Sequence, residues 1–270
     1  MKSVLLLATA LLATQSIPEV EITAEPHHHQ VLGNQYVRVF NVDVPAHADT
    51  LMHWHRHDYA FVMLGPSHVS NDVKGKAPVE LKFPDGETHF SPGPFAHIAR
   101  NLSDEPFRNV TIEYLQDEAL RKNEKSNIAK LDATRGLDIL HGGTSEILFV
   151  NDGVRATEFE LQPGGMVPQH HHQGPHLLIA ISDLDLREED APGKMMPKKM
   201  TPGMKMTPGM KMTSEEKTTP REMKTNDAAH APTHLKSGDS KWLPGNYSPT
   251  ITNTAQKPAK FVTLEFPPSP

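Results

Sequence analysis

The chain has no cysteine among its 270 residues. That excludes disulfides and thiolate metal sites, so any bound ion must rest on nitrogen, oxygen or thioether ligands. Aromatic residues make up only 6%, whereas Pro (24) and Gly (17) are plentiful. That balance favours short strands and turns over long helices. No long basic block occurs and the formal net charge is -6, so the chain lacks the electrostatic footprint of a nucleic-acid binder. The apolar stretch Ser3 to Ala13 is too short to cross a bilayer. With Met1-Lys2 ahead of it and Ala13-Thr14-Gln15-Ser16 behind, residues 1–16 read as a secretory signal. A secreted or periplasmic protein with no membrane span in its mature chain is expected.

Histidine is present in excess, at 17 residues, and part of it is written twice. The stretch Asn34-Gln35-Tyr36-Val37-Arg38 leads to His53-Trp54-His55. At a constant offset of 117 positions, Asn151-Asp152-Gly153-Val154-Arg155 leads to His170-His171-His172. Downstream, Gly86 to Glu113 aligns without a gap on Gly238 to Glu265 at an offset of 152, with eight identities that include Asn101/Asn253 and Glu113/Glu265. One module therefore occurs twice, at about 100 residues per copy. The expected boundaries are 24–120 and 144–268, joined by a linker over 121–143.

Within each module, short β-branched or alternating runs end at turn signals. Val79-Glu80-Leu81-Lys82-Phe83 stops at Pro84-Asp85-Gly86, and Val110 to Leu115 closes the first copy. The pattern predicts an all-β chain of sandwiches or barrels. The two offsets differ by 35 residues, and the excess falls in a low-complexity insertion over 188–235. There Lys-Met-Thr-Pro-Gly-Met repeats from Lys199, which forbids regular structure. Its seven Met between Met195 and Met212 admit a soft-metal reading and a reading as repeat expansion in a tolerant loop.

On a strand, a His-x-His pair puts both imidazoles on one face, within reach of one ion. In the first module Gly86, Pro92, Pro94, His97 and Asn101 follow the spacing G-x5-P-x-G-x2-H-x3-N, with Pro94 in place of a Gly, and add His97 to His53 and His55. Asp58 precedes its strand as His176 precedes Leu177, so Asp58 is taken as the fourth ligand, with His57 as a substitute. The second module offers His170, His172 and His176 but has Pro249 where the first has His97. The tract His27-His28-His29 reads as a solvated edge. Trp54 and His171 fall on the opposite face from their neighbours. Arg38 and Arg155 correspond, which favours a salt bridge inside each sandwich over an anion contact. Asn101 and Asn253 are expected to fix a turn.

These motifs resemble those of the cupin superfamily, G-x5-H-x-H-x3,4-E-x6-G followed by G-x5-P-x-G-x2-H-x3-N. Gly164 and His170 to His176 match the first motif in the second copy, with His in the acid position; His53, His55, Asp58 and Gly65 match it in the first copy, with His47 at the leading Gly. The resemblance implies two jelly-roll barrels in tandem, a bicupin. It implies a divalent transition metal (Fe, Mn or Zn) and an enzyme of the dioxygenase, isomerase or decarboxylase type acting on a small oxygenated molecule. The alternative is a non-catalytic exported cupin that binds a metal or small ligand. The expected partners are a small-molecule substrate and a second copy of the chain in a homodimer.

Overall fold

A computed structural model describes residues 17–116, 137–151, 153–190 and 232–268. The segment 1–16, most of the expected linker and the core of the Met-rich insertion lie outside the described residues. The first half forms ten strands: β1 (Glu19–Glu21), β2 (His28–Gly33), β3 (Val37–Val44), β4 (Met52–His55), β5 (Tyr59–Met63), β6 (Ser67–Val73), β7 (Val79–Phe83), β8 (Thr88–Ser91), β9 (Phe95–Asn101) and β10 (Phe107–Tyr114). The second half forms β11 (Leu137–Asn151), β12 (Val154–Val167), β13 (His176–Ala180), β14 (Leu184–Asp190), β15 (Thr233–Leu235), β16 (Ser240–Leu243), β17 (Pro249–Asn253) and β18 (Ala259–Glu265). The all-β expectation holds. Some boundaries differ from the sequence reading. β1 precedes residue 24, β11 begins inside the segment taken as a linker, and β14 and β15 extend into both ends of the segment taken as an insertion.

The first barrel is two five-stranded sheets, ordered β1-β4-β9-β6-β7 and β2-β3-β10-β5-β8. The second is one eight-stranded sheet, with β15-β14-β17-β12-β18-β13-β16 in line and β11 on β12. Strand alternation decides what each barrel does with its two faces. In β10, Phe107, Asn109 and Thr111 turn inward to line a cavity. Val110, Ile112 and Tyr114 turn outward, yet all three are fully buried.

They are buried because the outer face of one barrel packs on that of the other. Val39, Val62 and Ile112 of the first belong to one apolar cluster with Ala156, Ile179 and Leu264 of the second. At roughly 1.5–3 kcal/mol for each large side chain taken from water, this seam is a major part of the stability.

The repeated Asn residues do what the sequence predicts. Asn101 Nδ2 donates to the carbonyls of Val44, Pro45 and Glu105, and its Oδ1 accepts from the Ser103 N–H. Asn253 repeats this with Leu161, Gln162, Lys257 and Ala255. Asn101→Ala would remove four hydrogen bonds, one of them to the buried carbonyl of Val44, so we expect a loss of about 2 kcal/mol in urea unfolding. A loss within experimental error would show that the amide does not hold the turn.

Candidate metal centre

β4 brings His53 and His55 to the inside of the first barrel, because residues two apart share a face. β9 pairs antiparallel with β4 and sets His97 directly opposite His53. From the facing sheet β2 contributes His28, buried at 9% exposure although His29 beside it is exposed. The reading of this tract as a solvated edge is therefore corrected for its middle residue. β2 begins at His28 and its pleat turns that ring inward. His28, His53 and His55 place one ring nitrogen each within 4.8 Å of one another, and no such set forms in the second barrel among the described residues. His97 Nε2 lies 3.1 Å from His53 Nε2 and 3.2 Å from His55 Nε2.

Each ring has its other nitrogen directed at an oxygen. His28 Nδ1 is 2.6 Å from Glu25 Oε2, His53 Nδ1 is 2.8 Å from the Leu51 carbonyl, and His97 Nδ1 is 2.7 Å from Asn71 Oδ1. His55 Nδ1 faces Glu113 Oε1 at 3.7 Å. For His28, His53 and His97 these acceptors place the ring hydrogen on Nδ1 and leave Nε2 as a lone pair, whereas His55 Nδ1 makes no hydrogen bond. Lone pairs facing each other at such distances repel unless a cation or proton lies between them. Burial opposes the proton. It is the main cause that holds His55 and His97 well below the usual imidazole range, and His53 at about 4, where the neighbouring His28 adds to it against the Leu51 carbonyl and Glu25. Two nitrogens at 2.0–2.1 Å from one ion are about 3.0 Å apart at a right angle and about 3.4 Å apart at the tetrahedral angle. The donor set fits a metal ion.

Behind the cluster, Glu113 is held by Arg38, with Nη2 to Oε2 at 2.7 Å. Burial raises the Glu113 carboxyl above its usual range even so. The second barrel has the same relay, with Arg155 on Glu265 and Glu265 Oε1 3.5 Å from His172 Nδ1. The salt-bridge reading of Arg38 and Arg155 is the one the structure shows.

Asp58 does not join the cluster. It is buried, but its Oδ1 accepts the Gly93 N–H at 2.8 Å, and it is absent from the cavity wall. Strand register explains why. Tyr59 on β5 pairs with Glu113, as His176 on β13 pairs with Glu265. The residue equivalent to His176 is therefore Tyr59, at the same offset of 117 that relates His53 to His170. The match of His176 with Asp58 expected from the sequence is therefore one residue out of register. His57, the substitute ligand, is likewise outside the cavity wall. Tyr59 stacks on His55 with ring centroids 4.1 Å apart, and burial pushes its hydroxyl up to about 12. The position where the motif expects an acid thus holds a protonated phenol.

In the second barrel His170 Nδ1 is 2.8 Å from the Pro168 carbonyl, and His172 stacks on His176 at 4.0 Å. The Tyr247 hydroxyl meets His176 Nε2 at 2.9 Å. The ring of His172 is buried and neither nitrogen makes a hydrogen bond. Ser145 stands where the first barrel has His28, since each pairs with equivalent residues of the next strand, Phe159 and Val42. So this barrel has three of the imidazoles sought but lacks the counterparts of His28 and His97, and Tyr247 occupies one of the three.

The first barrel also encloses a cavity of ≈ 80 Å³ next to the His cluster. In addition to the four His, its wall is apolar or uncharged, and Tyr59 is its one other ionisable side chain among the described residues.

No family model matches the chain, and no curated protein matches it by sequence. Solved structures do resemble it. A Bacillus subtilis oxalate decarboxylase, in a study of its Mn(II) centres, superposes with a TM-score of 0.55 over 92% of this chain and 77% of its own, at 12% identity. AerE from Microcystis aeruginosa superposes with a TM-score of 0.50 over 89% and 97%, at 9% identity. A cupin 2 conserved barrel domain protein from Leptotrichia buccalis is also similar, with a TM-score of 0.48 over 88% of each chain, at 10% identity. With its barrels and its likeness to the decarboxylase, the chain has the all-β jelly-roll fold expected from the sequence.

Proposed function

We propose that the first barrel binds a divalent transition metal through His28, His53, His55 and His97, and that the chain is a metal-dependent enzyme acting on a small oxygenated molecule. The observation that carries this reading is the convergence of four buried rings, three of them with Nδ1 held by an oxygen. A set of nitrogens with no carboxylate suits Fe or Zn better than Mn. This departs from the three-His, one-acid site expected from the sequence, because Asp58 is engaged with Gly93. When bound, such an ion supplies Lewis acidity or a place for O2 beside a substrate. The chain's own residues supply the rest. Glu25, Asn71 and the Leu51 carbonyl fix the tautomers and aim the rings. The apolar wall excludes water, which strengthens every polar contact inside. Tyr59 is the cavity group outside the cluster that could hand a proton to a reacting atom, and its raised pKa makes it a weak acid. That scarcity of acid–base groups favours the second reading, a non-catalytic protein that captures a metal or small ligand. Residues 1–16 support export in either case.

Protein purified without a His-affinity step should contain about one equivalent of metal per chain by elemental analysis after reconstitution. Less than a tenth of an equivalent would sink both readings. Oxygen uptake or product formation by Fe(II)-loaded protein across diols, β-diketones and hydroxy acids would separate the enzyme from the binding protein.

A further inference from the structure

The two copies differ most usefully inside their barrels. Val42 on β3 pairs with Asn109 on β10, and the equivalent pair in the second barrel is Phe159 on β12 with Phe261 on β18. The two Phe rings stack, with centroids 5.0 Å apart, and Phe261 is fully buried in the second barrel's core. The space that those rings fill in the second barrel is a cavity in the first, because a valine and an asparagine stand there instead.

Asn109 is out of place in such a wall. It is 5% exposed, and its one hydrogen bond among the described residues is at Oδ1, which accepts from the Thr111 hydroxyl at 2.8 Å. That leaves Nδ2, with two hydrogens, facing the cavity without a protein partner. An amide donor that opens on the cavity without a protein partner gains when a ligand oxygen accepts from it. Asn109 and His28 both pair with Val42, from opposite sides. They therefore sit on one level of the sheet, two strands and about 10 Å apart. A small molecule at the His cluster reaches between them. Around Asn109 the wall is Phe61, Phe83, Phe107 and Val69, and among the described residues no Lys or Arg lines it.

We infer that this cavity selects a small uncharged molecule with an apolar body, and that Asn109 is its specificity-determining residue, donating to an oxygen remote from the His cluster. The inference rests on the metal site proposed above and names the substrate class for it. A dicarboxylate fits poorly, because the oxygens turned away from the cluster would be desolvated against aromatic rings with no cation to receive them.

Acetoin and oxalate test this. They have equal numbers of heavy atoms, and each can meet the ion with one oxygen while turning another, on the adjacent carbon, toward Asn109, but acetoin is neutral and oxalate a dianion. Binding is measured by calorimetry on the metal-loaded full chain, with metal content read on the same samples before and after. Acetoin should bind at least about tenfold more tightly than oxalate, and Asn109→Leu should weaken acetoin by about tenfold or more while leaving metal content unchanged. Should that variant not fold, Asn109→Ala provides the same comparison, and the wild-type ratio needs no variant. Metal retained with oxalate bound as tightly as acetoin, or with acetoin binding indifferent to Asn109, overturns the inference and leaves the metal site standing. Metal below a tenth of an equivalent overturns the metal site, and the inference with it.

Discussion

His97→Ala should strip the reconstituted chain of most of its tightly bound metal, whereas His172→Ala should leave the metal content near that of the wild type. His97 Nε2 is the atom closest to two other ring nitrogens, so its loss opens one side of the cluster and removes a ligand held in place by Asn71. Changes to the residues that merely orient ligands cost about 10–100-fold in metal affinity, and losing a ligand should cost more. In the second barrel Pro249 already stands at the equivalent position, and Tyr247 is on His176. Elemental analysis of both variants after dialysis decides the matter. If His172→Ala empties the protein and His97→Ala does not, the working barrel has been misassigned.

Acid should destabilise the metal-free protein steeply. His53 has a folded-state pKa of about 4, and its main cause is burial. The unfolded chain takes up that proton near pH 6.5 and the folded protein resists until about pH 4. Stability contributed by the neutral ring is therefore full above pH 6.5 and is lost as the pH falls through that window. A difference of roughly 2.5 pKa units amounts to about 3 kcal/mol for this one side chain. His176, held at about 3 by burial and by His172, adds to the loss with the same sign. Glu113 opposes it, because its raised pKa lets the folded state take a proton early. Unfolding free energies of metal-free protein measured at pH 7 and pH 4 should differ by several kcal/mol. A flat profile would mean that the rings are hydrated or already charged.

The sequence made the duplication, the all-β class and three of the four clustered imidazoles legible. His53 and His55 announce themselves through period-two spacing, and His97 through the fixed spacing of turn residues around it. His28 was hidden because a run of three His shows no alternation, and only the start of β2 at that residue decides which ring turns inward. A signal did exist: a polar ring at the first residue of a strand, with Glu25 three positions earlier and buried with it. Asp58 was misread because a charged group next to an apolar run looks like a ligand, and a slip of one residue was enough to pair it with His176. Holding the 117-residue offset constant would have paired His176 with Tyr59. The cavity could not be seen in one copy alone. It becomes visible only when Val42 and Asn109 are set against Phe159 and Phe261.

The apolar seam between the barrels has a consequence for how the chain arose. Val37, Val62, Val110 and Tyr114 on one side correspond, at the two repeat offsets, to Val154, Ile179, Val262 and Phe266 on the other, and all eight lie in the same cluster. A patch that packs against its own duplicate is the signature of a two-fold isologous contact. A single barrel with this face could bury it against another copy of itself. The present chain makes that dimer-like contact within one polypeptide, so the two halves need not be alike inside: one is closed by aromatic rings and the other keeps an opening.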